Sequence, residues 1–184
     1  AMALIAAGAD LISQHADSMG APTACENAGI PNISYNGSTV ASCPNTFIVA
    51  SRIDWAPYFV YIIGQKIAGE AIATDWTGTI ETGSVVLTDV NEKAAAEGTE
   101  VALVAAVAGL AAGEIHVFDT ATEGFITVDG KPMGEDWKPG EATDGAFADG
   151  TKIVYDGYFH ESEYRSAPYF DAWIDGIELL NTMF

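Results

Sequence analysis

The chain predicts an α/β fold: a mostly parallel sheet with helices on both of its faces. Short apolar runs that end in polar clusters alternate with helical patterns closed by glycine, and turn residues fall at the junctions between them. With 184 residues, 49% of them hydrophobic, there is also enough apolar material to bury a full core.

Each element has its own signal. Ala1 to Gly8 reads as the last turns of an apolar helix ending at a glycine. It has no capping residue before it, so the chain is expected to be a piece of something longer. Asp10 to His15 is a strand pattern, Ala21 to Ala28 a helix closed by Gly29, and Ile30 to Tyr35 a strand ending in the turn pair Asn36-Gly37. Thr46 to Ala50 follows as a strand. Trp55 to Ala68 then reads as a helix with Phe59, Ile62, Ile63 and Ile67 on one side and Gly69 at its end. Gly78 to Thr88 holds one or two strands. From about Asn91 to Ala112 the pattern is helical, with Asn91 as N-cap, Glu92 in the first turn and Gly113 past the end. Beyond this point the character changes. Phe125 to Val128 with Asp129 and Gly130 signals a hairpin, Gly134 to Gly150 a long loop, Ile153 to Tyr155 a strand, and Ser166 to Leu180 a last, aromatic-rich helix. The expected division is a ligand-binding lobe over residues 1–118 and a C-terminal extension over 119–184 packing on it. There is no internal repeat.

Charge narrows the function classes. The 26 acidic residues face only 7 Lys and Arg, a formal net charge of −19, and no basic stripe is present. Nucleic-acid binding as a primary role is excluded, because phosphate contacts need clustered cations, and an anionic membrane surface would repel the chain. The same acidity suits solubility in a saline environment. No apolar run reaches the roughly 18 residues of a membrane span, and the start carries no basic n-region of a signal peptide. Cys25 and Cys43 are the only cysteines; their even number fits either a disulfide in an oxidising compartment or two buried free thiols, and their spacing matches no metal motif.

The candidate functional residues bunch at strand ends, where open α/β sheets bind ligands. Gln14, His15, Asp17 and Ser18 form a polar cluster after the first strand. Asp17 or Ser18 equally reads as a cap on the next helix, and His15 as a structural histidine. Tyr35 and Asn36 end another strand, although Tyr35 fits a core position and Asn36 before Gly37 is by default a turn residue. Trp55, at a helix start, is the best stacking platform in the sequence; its plain reading is a core aromatic. A Ser-His-Asp set crowded into one strand end does not make a catalytic relay, and no nucleophile elbow, phosphate loop or zinc motif occurs, so no enzyme activity and no cofactor is expected. The acidic loop from Asp136 to Asp149 matches no calcium-binding spacing.

Several segments together resemble the basic membrane protein family, the extracytoplasmic solute-binding lipoproteins of ABC importers that bind purine nucleosides or nucleobases. Gly8 to Ser18 is similar to that family's Gly-Ala-Asp-Val-Ile-Ser-Gln-His-Thr-Asp-Ser segment. Ala28 to Ile30 with Ile33 to Tyr35 resembles its Ala-Gly-Val…Ile-Gly-Tyr strand, and Asp54 to Phe59 its Trp-Asp-Trp-Gly-Pro-Tyr-Tyr helix start. Gly113 to Phe118 resembles its Gly-Lys-Ile-x-Val-Phe strand, and Asp171 to Gly176 its terminal Met-Asp-Trp-Phe-Val-Asp-Gly. The resemblance implies a type I periplasmic binding-protein fold, in which two α/β lobes close on a ligand like a hinge. This chain aligns with the second lobe and the tail, so the first lobe, with its signal peptide and lipid-anchored cysteine, is expected upstream. The implied partners are a purine-like small molecule and the importer's membrane permease, on the periplasmic or extracellular face.

A purine needs an aromatic face and placed hydrogen-bonding groups. Stacking contributes about 1 to 3 kcal/mol per base, and Gln14, His15 and Asp17 offer donors and acceptors for ring edges. Two departures from the family pattern bear on the ligand. Asn36 stands where nucleoside-binding members carry an Asp, and Ile80, Glu81, Thr82, Gly83 stands where they carry Leu-Lys-Asp-Gly. With Asn36 and Glu81 in place of a carboxylate and a lysine that grip ribose hydroxyls, a free nucleobase fits better than a nucleoside. The alternative reading is the ligand-sensing domain of a regulator or receptor that shares the type I fold.

Overall fold

A computed structural model describes residues 1–119, 127–128, 130–132, 151–152, 154–160, 163 and 175–178. The chain divides into two units, Ala1–Ala111 and Ala112–Phe184.

The first unit is built on one sheet, β1 (Ile12–Ser13), β2 (Asn32–Tyr35), β3 (Phe47–Ile53) and β4 (Val85–Leu87), in that order. β1, β2 and β3 run parallel, and β4 returns antiparallel to β3. With α1 (Met2–Ala6), α2 (Gly20–Ala28), α3 (Ala56–Ala68) and α4 (Thr99–Ala111), the architecture is mixed α/β with a mostly parallel sheet, as the sequence predicts. Tyr35 pairs with Ser51 across β2 and β3, so the carboxyl ends of these two strands share one edge of the sheet.

Glycine ends α2 and α3 where the pattern places it. Gly29 (φ +69°) and Gly69 (φ +74°) take the left-handed conformation that other residues rarely adopt. This lets Ile30 N–H reach Cys25 O at 3.0 Å and Glu70 N–H reach Gln65 O at 2.9 Å, satisfying carbonyls that the helix leaves free.

Other expectations are corrected. The strand expected over Asp10–His15 contracts to β1, and the one over Thr46–Ala50 extends to Ile53. Gly78–Thr88 yields the single strand β4. The helix expected from Asn91 begins only at Thr99, because Gly98 (φ +84°) interrupts the path. Asn91 does not cap α4: its Oδ1 accepts from Lys93 N–H at 3.3 Å in the turn that follows it, while its side-chain amide donates to Pro44 O at 3.0 Å and Phe47 O at 2.8 Å, tying the segment to the start of β3. Neither Asp17 nor Ser18 caps α2, whose N-cap is Met19 without a side-chain bond. Gly113–Phe118 forms no strand; only Asp119 makes one bridge, to Tyr158. The loop expected over 134–150 lies outside the described residues, as does most of the last expected helix, of whose described part Asp175 and Gly176 form a turn.

The core of the first unit is unusual in what it buries. Residues alternate faces along a strand, and β2 turns Asn32 and Ser34 inward while Ile33 and Tyr35 stay half-buried. Buried polar groups require partners, and these have them. Asn32 Nδ2 donates to Thr46 Oγ1 at 3.0 Å, Thr46 Oγ1 donates to Glu26 Oε2 at 2.9 Å, and Ser34 and Thr39 share a hydroxyl bond of 3.0 Å. Asn45 donates to Glu26 from both its backbone and its side chain, which fastens α2 to the β2–β3 connection. Around this network pack Ile12, Cys25, Cys43, Phe47, Val49 and Ala50. Both cysteines are free thiols, which settles the two readings of their even number. Burial, with Cys43 nearby, pushes the Cys25 thiol up, so it stays protonated and behaves as a small core hydrophobe.

The second unit contains two hairpins. β5 (Thr127–Val128) and β6 (Lys131–Pro132) form the hairpin that the Asp129-Gly130 pair predicts. β7 (Val154–Tyr155) and β8 (Tyr158–Phe159) are joined by Asp156 (φ +53°) and Gly157 (φ +86°), both left-handed as a tight two-residue hairpin turn requires. Val154 and Phe159 are fully buried there. His116, Tyr158, His160 and Tyr155 stack in series, with centroid separations of 3.6, 3.9 and 3.6 Å.

Candidate functional site

A cavity of about 400 Å³ opens in the first unit at the carboxyl ends of β2 and β3. Tyr35 from β2 and Ser51 to Ile53 from β3 form one wall. Asp54, Trp55 and Tyr58 continue it along the β3–α3 junction, and Trp76, Gly78, Ser84 and Val85 close the other side.

Local chemistry puts each wall in place. Asp54 N–H donates to Ser84 O at 2.8 Å, which extends the β3–β4 pairing of Ile53 with Val85. Asp54 Oδ1 accepts from Ala56 N–H at 2.9 Å, satisfying one of the free donors at the start of α3. The segment after α3 is fastened back on the helix: Tyr61 hydroxyl accepts from Ala73 N–H at 2.9 Å, and Gln65 Nε2 donates to Ala71 O at 3.0 Å. This return carries Trp76 to within 5.3 Å of Tyr58 and stacks it on Tyr61 at 6.4 Å and 16°. At Gly78 no other residue fits, because a Cβ there would lie 2.5 Å from Ser84 Cβ and 2.9 Å from the Trp76 ring.

The cavity is rich in π-faces. Trp55 meets Tyr58 edge-on at 6.3 Å and leaves 56% of its surface exposed, much for so large an aromatic. Two polar groups stand among the rings. Arg52 Nη2 lies 3.5 Å from Asp54 Oδ2, a long, half-exposed ion pair that contributes little stability. The Ser84 hydroxyl is sealed from solvent and has no hydrogen-bond partner among the described residues. Such a group costs about 1 to 3 kcal/mol when left unsatisfied.

Of the residues singled out from sequence, the cavity brings together Tyr35 and Trp55. His15 stands one ring further out, stacked on Tyr35 at 3.8 Å and 15°. Gln14 turns its Oε1 back to accept from Ala16 N–H at 2.8 Å. Asp17 and Ser18 are exposed and outside the lining. Asn36, with φ +64° and its N–H donating to Ser51 O at 2.6 Å, occupies the turn. Glu81 is exposed in the turn from Ile80 to Gly83. Sequence reasoning missed Arg52, Tyr58, Trp76 and Ser84 as site residues. Tyr58 was legible as the third residue after Trp55, one helical turn on; nothing local marks Trp76 or Ser84, which arrive through the return of the chain to β4. Among the described residues no group of three or more His, Cys, Asp or Glu could hold a metal ion.

No family model matches the chain, and no curated protein matches it. Among solved structures it is similar to an ABC transporter system solute-binding protein from Conexibacter woesei DSM 14684, with 20% identity and a TM-score of 0.49. The match covers 62% of this chain and 39% of that one, so the chain spans about two fifths of that structure's length.

Proposed function

We propose that the first unit is a small-molecule-binding lobe whose cavity takes a planar, polar heterocycle, a purine base in the first instance. The observation that carries this reading is the position and lining of the cavity. It lies beyond the carboxyl ends of two parallel strands, where α/β sheets bind ligands, and it presents Trp55, Tyr58, Trp76 and Tyr35 to a space of about 400 Å³. An exposed tryptophan beside other rings offers a base a stacking face. The absence of the ribose-gripping pair at Asn36 and Glu81 favours a base over a nucleoside.

In the same reading the chain belongs to the extracytoplasmic solute-binding component of an ABC importer, anchored as a lipoprotein in its full-length form. Its ligand is trapped between this lobe and another and then handed to a membrane permease. The support is the ordered run of segments that resemble the basic membrane protein family. Binding without chemistry follows, with closure favoured by ligand contacts that bridge the lobes.

The test is a titration of the chain with adenine, guanine, hypoxanthine and adenosine, following tryptophan fluorescence. The expected result is saturable quenching by the bases, weaker for adenosine, and lost in Trp55→Ala. Absence of a response to all four removes the purine reading of this cavity.

A further inference from the structure

We infer that Arg52 sets the specificity of the cavity and selects 6-oxopurines over adenine, a conclusion that rests on the cavity being the purine site. The first unit holds only three Lys or Arg, Arg52, Lys66 and Lys93, and of these Arg52 alone lines the cavity. Its guanidinium carries five N–H donors in a planar fork and no acceptor. One donor faces Asp54 Oδ2 at 3.5 Å, which orients the group, and that carboxylate is itself held by Ala56 N–H at its other oxygen. The acceptor capacity of Asp54 is thus partly committed, whereas most guanidinium donors remain for a ligand.

A donor fork discriminates between purines by their edges. A 6-oxopurine presents O6 and N7, two acceptors side by side, which match two parallel N–H groups of an arginine. Adenine presents N7 beside an N6 amine, so one donor of the fork meets another donor and a hydrogen bond is lost.

The experiment compares hypoxanthine with adenine by tryptophan quenching in the unaltered chain, in Arg52→Gln and in Arg52→Lys, with circular dichroism to check that each is folded. A bidentate pair discriminates by about 5- to 150-fold between right and wrong base, so hypoxanthine is expected to bind tighter than adenine by at least about fivefold. A glutamine amide sets an N–H donor beside a carbonyl acceptor, the pair that matches the adenine edge, so Arg52→Gln is expected to reverse the order, and Arg52→Lys, a point charge without the fork, to shrink the preference. Equal affinity for the two bases in the unaltered chain, or a preference unchanged in Arg52→Gln, overturns the role of Arg52 and leaves the cavity as a purine site. Failure of both bases to bind overturns the cavity reading and this inference with it.

Discussion

Two sides of the first unit treat the same kinds of residue in opposite ways. On one side α2 and the β2–β3 connection bury Asn32, Ser34, Thr39 and Thr46 and give each a partner, so polarity there is structural. On the other, where β3 leads into α3, a serine hydroxyl is buried without a partner, an arginine keeps most of its donors, and a tryptophan stands 56% exposed. Saturation marks the side that holds the fold together. Unspent capacity marks the side proposed to bind a ligand.

The largest effect belongs to the saturated side. Phe47 is 1% exposed and packs with Cys43 and Ala50 at the centre of the unit. Phe47→Ala is expected to destabilise the protein by about 3 to 5 kcal/mol, read from the urea midpoint. A loss under about 1 kcal/mol would show that the site collapses freely and that this side is not the tighter one.

On the open side Trp55→Ala is expected to behave in the reverse manner. Its exposure implies a change in stability within roughly 0.5 kcal/mol, while the affinity for a base falls by about 1 to 3 kcal/mol. Paired urea melts and titrations on the same variant separate the two. A large loss of stability with intact binding would make Trp55 a core residue after all and dissolve the contrast.

This division also explains which parts of the molecule were legible in the sequence. Local backbone chemistry was readable: Gly29 and Gly69 end helices because the left-handed conformation is written in the residue itself, and Asp129-Gly130 announces its hairpin. The pair Asp156-Gly157 carries the same signal and joins strands of the same length, two residues each, so it was equally legible. Asn91 does bond the turn after it, through Lys93 N–H, but the helix itself starts eight residues later, and the amide's other partners, Pro44 and Phe47, lie more than forty positions away in the sequence. At the site, Tyr35 and Trp55 were accessible because strand ends and helix starts can be located from pattern. Trp76 and Ser84 were not, because they reach the cavity only through the path of the chain between α3 and β4.

A smaller effect sharpens the contrast at one atom. Ser84→Ala removes the unpartnered hydroxyl and is expected to raise stability by about 1 kcal/mol, because burial of that group is offset by no bond. A fall in the urea midpoint would mean that the hydroxyl is satisfied and that the two sides do not differ in this respect.

The smallest effect concerns acid. Partial burial pushes the Glu26 carboxyl up, but the hydrogen bonds from the Asn45 side chain, Thr46 and the Asn45 backbone, with Lys93 nearby, outweigh it and hold its pKa below the ordinary value. A carboxyl depressed in the folded state favours folding above its unfolded pKa and loses that contribution as pH falls through the folded one. Glu26 is therefore one of the groups through which the α2 side loosens below the ordinary carboxylate range. Because this carboxyl is largely open to solvent, the effect is modest and weakens further in salt. In Glu26→Gln the urea midpoint is expected to fall less steeply between neutral and acidic pH than in the unaltered chain. Parallel curves for the two proteins would show that the fastening of α2 does not depend on the charge of Glu26, and that neutral hydrogen bonds suffice to keep this side saturated.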